Sequence, residues 1–185
     1  MTRTAVACLG LALAAGSVLA LEPAARPLPA AGSIQVLFTP GDEADDAIIA
    51  AINGARQQVL VQAYTFTHRR IAAALIRARR RGVEVDVVAD AQQAASVPNS
   101  VLASLARAGV PVYLDADHDS AHNKVLILDA DAPESTVITG SFNLTYSAQS
   151  RNAENILIIR GHPELAAKYA ANWQRHRRHA ARLNP

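Results

Sequence analysis

The chain has 185 residues, of which 50% are hydrophobic and 18% are charged, a balance that suits one folded domain with a substantial core. Its 18 Lys and Arg residues nearly balance its 16 Asp and Glu residues, so the net charge alone does not indicate a nucleic-acid binder. The single cysteine, Cys8, excludes an intramolecular disulfide.

Residues 1–20 have the pattern of a secretory signal peptide. Arg3 precedes an Ala- and Leu-rich apolar run, and a small-residue cleavage pattern ends at Ala20. The alternative, a membrane anchor, is less favoured because the run is short for a span and no stop-transfer charges follow. Residues 21–32 are rich in Ala and Pro and are predicted to be a linker. We therefore expect a periplasmic or secreted protein without stable membrane association, whose single domain covers residues 33–182.

The domain begins with alternating strand and helix patterns. Strands are predicted at 34–38, 58–66, 83–89 and 110–114, helices at 43–55, 69–81 and 98–108, and a loop at 90–96. Three closely spaced strands follow, at 122–128, 135–139 and 154–159, and a last helix is predicted at 163–181. This order predicts an α/β fold with a mixed, mainly parallel β-sheet flanked by helices on both faces.

The strongest chemical signal lies between His122 and Asn143. His122 and Lys124 stand two residues apart at the head of an apolar run, so their side chains are predicted on one face of a strand. The next predicted strand ends in Gly140-Ser141-Phe142-Asn143, and pairing of the two strands would bring Ser141 and Asn143 to the His–Lys pair. A nucleophile or base, a fixed cation and several neutral donors together suit a phosphate group.

The pattern His122-x-Lys124-x4-Asp129, followed by Gly140-Ser141-x-Asn143, resembles the HKD motif of the phospholipase D superfamily. With one motif in a short chain that begins with a signal peptide, the sequence is most similar to the bacterial secreted endonuclease branch. Ten residues separate Asp129 from Gly140, more than the motif usually has, and we interpret the excess as a longer hairpin loop.

The resemblance implies a role for each residue of the site. His122 would attack phosphorus and form a phosphohistidine, while Lys124 would hold a non-bridging oxygen. Ser141 and Asn143 would donate hydrogen bonds to the phosphate, together with backbone N–H groups at Gly140. Glu154 is expected to be a catalytic residue that accepts a hydrogen bond from the imidazole of His122.

Other polar residues are given lesser roles. Asp129 lies an odd number of residues from His122, so it is predicted on the opposite face of the strand in a structural role. Tyr64 and His68 are candidates to line the cleft. No cofactor and no metal are expected, because Asp117-His118-Asp119 is better explained as a polar loop than as a set of metal ligands.

One imidazole cannot both attack phosphorus and protonate the leaving group, because these roles need opposite protonation states in the same step. A chain with one motif is therefore expected to form a homodimer with a shared active site. The function we predict is metal-independent endonuclease activity on DNA or RNA, with phospholipid hydrolysis and non-catalytic nucleic-acid binding as alternatives. Arginines on the 69–81 helix and at the C-terminus indicate either a backbone-binding patch or a solvated face.

Overall fold

The computed structural model describes residues 26–184. The predicted signal peptide, 1–20, and the first part of the predicted linker lie outside these residues. Residues 26–32 contain no helix or strand, and the first regular element begins at Ser33. Within 26–184, none of the helices combines the length and the apolar character that a membrane crossing requires.

Eight strands and six helices make up the regular structure of the described residues. The strands are β1 (Ser33–Thr39), β2 (Gln58–Ala63), β3 (Glu84–Asp90), β4 (Val112–Asp115), β5 (Lys124–Leu128), β6 (Thr136–Gly140), β7 (Glu154–Arg160) and β8 (Ala181–Arg182). The helices are α1 (Ala44–Gly54), α2 (Arg69–Arg80), α3 (Ala91–Ser96), α4 (Leu102–Arg107), α5 (Tyr146–Ser150) and α6 (Pro163–His179). Every predicted strand and helix is present, with ends that differ by a few residues.

Three short elements were not predicted from the sequence. The loop predicted at 90–96 is wrong, because Asp90 accepts a hydrogen bond from the backbone N–H of Gln93 at 2.7 Å and thereby begins α3. Thr145 begins α5 in the same way, through the backbone N–H of Ala148. β8 has only two residues and is defined by its pairing with β4. Elements this short carry no hydrophobic period, so local caps and partners determine them.

All eight strands form one sheet in the order β1-β7-β6-β5-β2-β3-β4-β8. The mixed sheet is confirmed, but the parallel share is smaller than predicted, since only β2, β3 and β4 pair in parallel. The other neighbouring pairs are antiparallel. β1 and β2 do run in the same direction, as the alternation of strands and helices indicated. However, β7, β6 and β5 lie between them in the sheet. The hydrophobic pattern of a sequence predicts where strands are, but it does not predict their order in the sheet.

Helices cover both faces of the sheet, as predicted. On one face α1, α2 and α4 pack through residues such as Ile48, Leu75 and Leu105. On the other face α6 packs through Trp173, which also donates its indole N–H to the backbone oxygen of Val61 at 2.9 Å. Burial on both faces explains why the central strands β2 and β5 are mainly apolar, with polar residues only at Gln58, Gln62 and Lys124.

The β5–β6 hairpin determines where the motif residues lie. Leu128 pairs with Thr136 and Val125 with Thr139, so 129–135 form the connecting loop, as the longer-loop interpretation predicted. Ala63, at the end of β2, pairs with Lys124 at the start of β5. The end of β6 lies beside β7 near Glu154, since Gly140 pairs with Ile156. One edge of the sheet therefore collects the ends of β2 and β6 and the starts of β5 and β7.

Candidate active site

His122 and Lys124 are in contact at this edge of the sheet. The Nζ atom of Lys124 lies 3.1 Å from Nδ1 of His122 and donates to the backbone oxygen of His122 at 3.0 Å. The ring of Tyr64 packs against the imidazole with centroids 4.3 Å apart and lies 4.8 Å from the ammonium. Tyr64 thus lies in the cleft, where the sequence placed it as a candidate.

The environment of Lys124 suits an anionic ligand. Burial lowers the pKa of Lys124 below its ordinary value, and the nearby carboxylate of Glu154 partly offsets this by raising that pKa. Because an ammonium can only donate, Nδ1 of His122 accepts from Lys124, and the hydrogen of the neutral ring is then on Nε2. A partly dehydrated cation beside an exposed imidazole gains most when a phosphate oxygen replaces the lost water.

Glu154 contacts a different set of partners from the one predicted. Its Oε2 accepts from the hydroxyl of Ser141 at 2.5 Å, and its Oε1 accepts from the amide of Asn152 at 2.9 Å. The predicted hydrogen bond to His122 is absent among the described residues, where the carboxylate of Glu154 instead accepts from Ser141 and Asn152. Glu154 therefore fixes the hydroxyl of Ser141, which also accepts from the backbone N–H of Asn155 at 3.1 Å.

The turn after β6 depends on Gly140. A Cβ atom at this position would lie 2.1 Å from the backbone oxygen of Asn155, so no other residue fits between β6 and β7. Two residues after Ser141, the side-chain oxygen of Asn143 is buried and has no hydrogen-bond partner within the described part of the chain. This oxygen can only accept, so a donor such as water or a hydroxyl group would satisfy it, and the amide N–H of Asn143 is the part of the side chain that can donate to a phosphate.

Asp129 lies at the other end of β5, away from the His–Lys pair. Its carboxylate accepts from three successive backbone N–H groups, those of Arg56, Gln57 and Gln58, at 2.7–2.9 Å. Its own N–H donates to the backbone oxygen of Gln58, and its φ angle is 51°. These contacts join the end of β5 to the start of β2, which is a structural role.

His68 is almost fully buried and has no hydrogen bond to His122 or Lys124 within the described part of the chain, although it borders the groove formed with Thr67, Arg69 and Tyr146. It is the N-cap residue of α2 and is buried, with its Nε2 atom 3.2 Å from the carboxylate of Asp45. Burial lowers the pKa of this imidazole, although Asp45 opposes the shift. β2 ends at Ala63, and the chain that follows turns into the helix layer before it reaches His68.

A second cluster of titratable side chains lies outside this site. It consists of Asp115, His118, His176 and His179. Burial would raise the pKa of Asp115, but hydrogen bonds from the three imidazoles outweigh burial and hold that pKa well below its usual range. From the sequence, His118 was predicted to lie in a polar loop with Asp117 and Asp119. The missed signal is the spacing of His176 and His179, three residues apart on one helix.

Comparison with known proteins places the chain in a family. Residues 48–177 match the family model described as "Cardiolipin synthase, PLD-like domain". A phospholipase D from Rickettsia bellii is 39% identical over 140 residues, which are 76% of this chain and 67% of that protein.

Two solved structures have the same fold. Nuc from Salmonella typhimurium, a phospholipase D family member, superposes with a TM-score of 0.76 at 32% identity, over 83% of this chain and 99% of Nuc. NucT from Helicobacter pylori gives a TM-score of 0.72 at 24% identity, over 82% and 99% of the two chains. The chain therefore belongs to the phospholipase D superfamily and is a phosphodiesterase of the hydrolase class.

Proposed function

We propose that this chain is a metal-independent endonuclease that hydrolyses phosphodiester bonds of DNA or RNA through a phosphohistidine at His122. The observation that carries the proposal is the contact between the exposed imidazole of His122 and the partly buried ammonium of Lys124. Beside this pair, the side-chain amide N–H of Asn143 can donate to a phosphate oxygen, while Ser141 donates its hydroxyl to Glu154 and thereby helps to hold the turn.

Lys124 and His122 would exchange partners when a phosphate binds. In the free enzyme the ammonium of Lys124 donates a hydrogen bond to Nδ1 of His122. When a phosphate oxygen accepts from Lys124 instead, the lone pair of Nδ1 becomes free. A ring nitrogen of neutral His122 then attacks phosphorus, and the bond to the leaving oxygen breaks as that oxygen takes a proton from a second imidazole. Water next attacks phosphorus and gives its proton to the second imidazole, and the phosphorus–nitrogen bond breaks.

The second imidazole in this scheme is His122 of a second copy of the chain. Support for a dimer comes from the edge strand β1, where Ile34, Val36 and Phe38 are 68%, 47% and 59% exposed on one face. This apolar stripe begins beside the site, since Phe38 pairs with Asn155. A copy that covers the stripe would remove it from water and bring the two sites together.

Subunit mixing tests the shared site. If wild-type chains are refolded with excess His122→Ala chains, activity per wild-type chain should fall with the wild-type fraction, because mixed dimers hold one imidazole.

Val36→Glu should separate the dimer and abolish activity. Gln35→Glu is the matched control, because it puts the same charge on the opposite face of β1, where Arg160 already contacts Gln35. Full activity per wild-type chain at every mixing ratio would contradict a shared site.

A groove beside the site favours a nucleic acid as the substrate. Thr67, Arg69 and Tyr146 line it, and Tyr146, shortly after the turn that holds Ser141, is 65% exposed. An exposed aromatic ring can stack on a base while a guanidinium contacts the backbone. Tyr146→Ala should therefore raise KM for a polynucleotide and leave the hydrolysis of a small phosphodiester, such as bis-p-nitrophenyl phosphate, unchanged.

Phospholipid hydrolysis is the second candidate. It is favoured by the name of the Rickettsia bellii relative and by the exposed stripe on β1, which could contact a lipid surface instead of a second chain.

We also propose that residues 1–20 direct the protein to the periplasm or the medium. Fractionation of the producing cells, with N-terminal sequencing of the mature protein, tests that destination.

One assay tests the activity and separates the two substrates. Purified protein is incubated in excess EDTA with plasmid DNA, with RNA and with phosphatidylcholine vesicles, beside a His122→Ala control. The proposal predicts cleavage of a nucleic acid by the wild type alone. Cleavage of the vesicles alone would favour the second candidate. Cleavage of nucleic acid that stops with EDTA and returns with Mg²⁺ would contradict the metal-independent mechanism.

A further inference from the structure

Three imidazoles converge on one buried carboxylate at the end of β4. The side chain of Asp115 is fully buried, with an exposed fraction of 0%. Its Oδ2 atom lies 2.7 Å from Nδ1 of His176, 3.1 Å from Nδ1 of His118 and 3.2 Å from Nε2 of His179. A carboxylate oxygen has about two lone-pair positions, so three N–H donors are more than it can accept with good geometry.

The four donor atoms match the requirements of a tetrahedral metal. They lie within 4.8 Å of one another. Bonds of about 2.0–2.1 Å to a tetrahedral Zn²⁺ place neighbouring donor atoms about 3.3 Å apart, close to the separations already present around Oδ2. Imidazole nitrogens with a single carboxylate are ligands that Zn²⁺ binds readily in proteins.

The surroundings orient these ligands. Oδ1 of Asp115 accepts from the backbone N–H of Asp117 at 3.1 Å and also lies 3.1 Å from Nδ1 of His118, while Oδ2 contacts all three imidazoles. Nδ1 of His179, the ring nitrogen away from Asp115, lies 3.8 Å from the carboxylate of Asp117. The rings of His118 and His176 stack with centroids 4.7 Å apart. A second carboxylate near a ligand histidine is a common feature of zinc sites, because it fixes the ring and its tautomer.

We propose that Asp115, His118, His176 and His179 bind Zn²⁺ in a structural site. Four protein ligands leave no open position for a substrate, which distinguishes this site from a catalytic zinc. The ion would join the end of β4 to the last turn of α6, just before β8 pairs with β4. In the sheet order β5-β2-β3-β4, the cluster lies three strand spacings from Lys124, about 14 Å, so the phosphodiester chemistry is separate from it.

Calorimetric titration tests the site directly. Protein without an affinity tag is stripped with chelator, exchanged into chelator-free buffer and titrated with Zn²⁺. We expect one equivalent to bind, and we expect His176→Ala, His179→Ala and Asp115→Asn each to weaken binding by about 100-fold or more. His162→Asn is the control, because it removes a histidine at the opposite end of α6, and Asn can still act as the N-cap.

Melting curves supply a second readout that does not depend on activity. Zn²⁺ at about 100-fold above its Kd should raise the Tm of the wild type and of His162→Asn by roughly 5–10 °C, and should leave the Tm of His179→Ala unchanged. If the variants do not fold, Co²⁺ added to the stripped wild type should give the visible absorption of a tetrahedral complex. Absence of binding to the wild type, or equal binding by the ligand variants and the control, would overturn the proposal.

Discussion

The two ends of β5 carry the two halves of one motif, and they differ in almost every physical respect. At the start of the strand, His122 is exposed and its neighbour Lys124 has a pKa lowered by burial. At the far end, Asp129 accepts three backbone hydrogen bonds. Lys124 and Asp129 are five residues apart, about 17 Å along an extended strand.

Within a single motif, the groups suited to catalysis lie at one end of the strand and the groups that stabilise the fold lie at the other. The start of β5 has a charged donor, an imidazole and a tyrosine ring within 5 Å of one another, and it is joined to β2 by backbone contacts that do not use these side chains. The end of β5 has satisfied hydrogen bonds that join it to β2 and no group free to react. Substitutions at the two ends should therefore act on different measurements.

The largest effect is expected at His122. His122→Ala should reduce turnover by about 10⁴-fold or more, because no nucleophile remains to form the intermediate. The Tm should stay within about 1–2 °C of the wild type, since the side chain is exposed. Steady-state kinetics and a melting curve on the same preparation check both statements, and normal hydrolysis by this variant would refute the assignment.

Lys124→Ala should have the next largest effect. Removing a fixed charge from a partly dehydrated phosphate site should lower kcat/KM by about 10²–10³-fold, or about 3–4 kcal/mol. Lys168, exposed on α6, provides the matched control, because Lys168→Ala removes the same charge away from the site. Equal losses in the two variants would mean that Lys124 acts only through overall charge.

Asp129→Asn should reverse the pattern. Asn is also tolerated at the positive φ of this position, so the change isolates the carboxylate. Weaker bonds to the three N–H groups should lower the free energy of unfolding by about 1–3 kcal/mol. Turnover measured well below the Tm should stay within about twofold of the wild type. An inactive Asp129→Asn protein with an unchanged Tm would show that this end of the strand takes part in the chemistry.

The smallest expected effect is a shift in the pH profile of Glu154→Gln. In the proposed mechanism Lys124 binds phosphate as an ammonium, so activity should fall as the pH rises through its pKa, which burial lowers below the ordinary value. The charge of Glu154 raises that pKa, and its removal should move the alkaline limb of the kcat/KM profile to lower pH. An unchanged alkaline limb would mean that Lys124 does not control it.

Much of this arrangement could be predicted from the sequence, and the failures have common physical causes. Strand periods and the hairpin loop predicted that His122, Lys124 and Ser141 lie at one edge of the sheet. The partners of Glu154 could not be predicted, because its hydrogen bonds depend on the side-chain geometry of two adjacent strands. The cluster around Asp115 was missed because His176 lies 61 residues further along the chain and meets it only through the packing of α6.

The most direct test of the account is to trap the covalent intermediate. Enzyme mixed with a 5′-labelled oligonucleotide is quenched within milliseconds in alkali, which preserves phosphohistidine, and the proteolytic peptides are analysed by mass spectrometry. The account predicts a nucleotide adduct on the peptide that contains His122, and none in the His122→Ala protein. An adduct on another residue, or single-turnover hydrolysis with no adduct at any time, would contradict it.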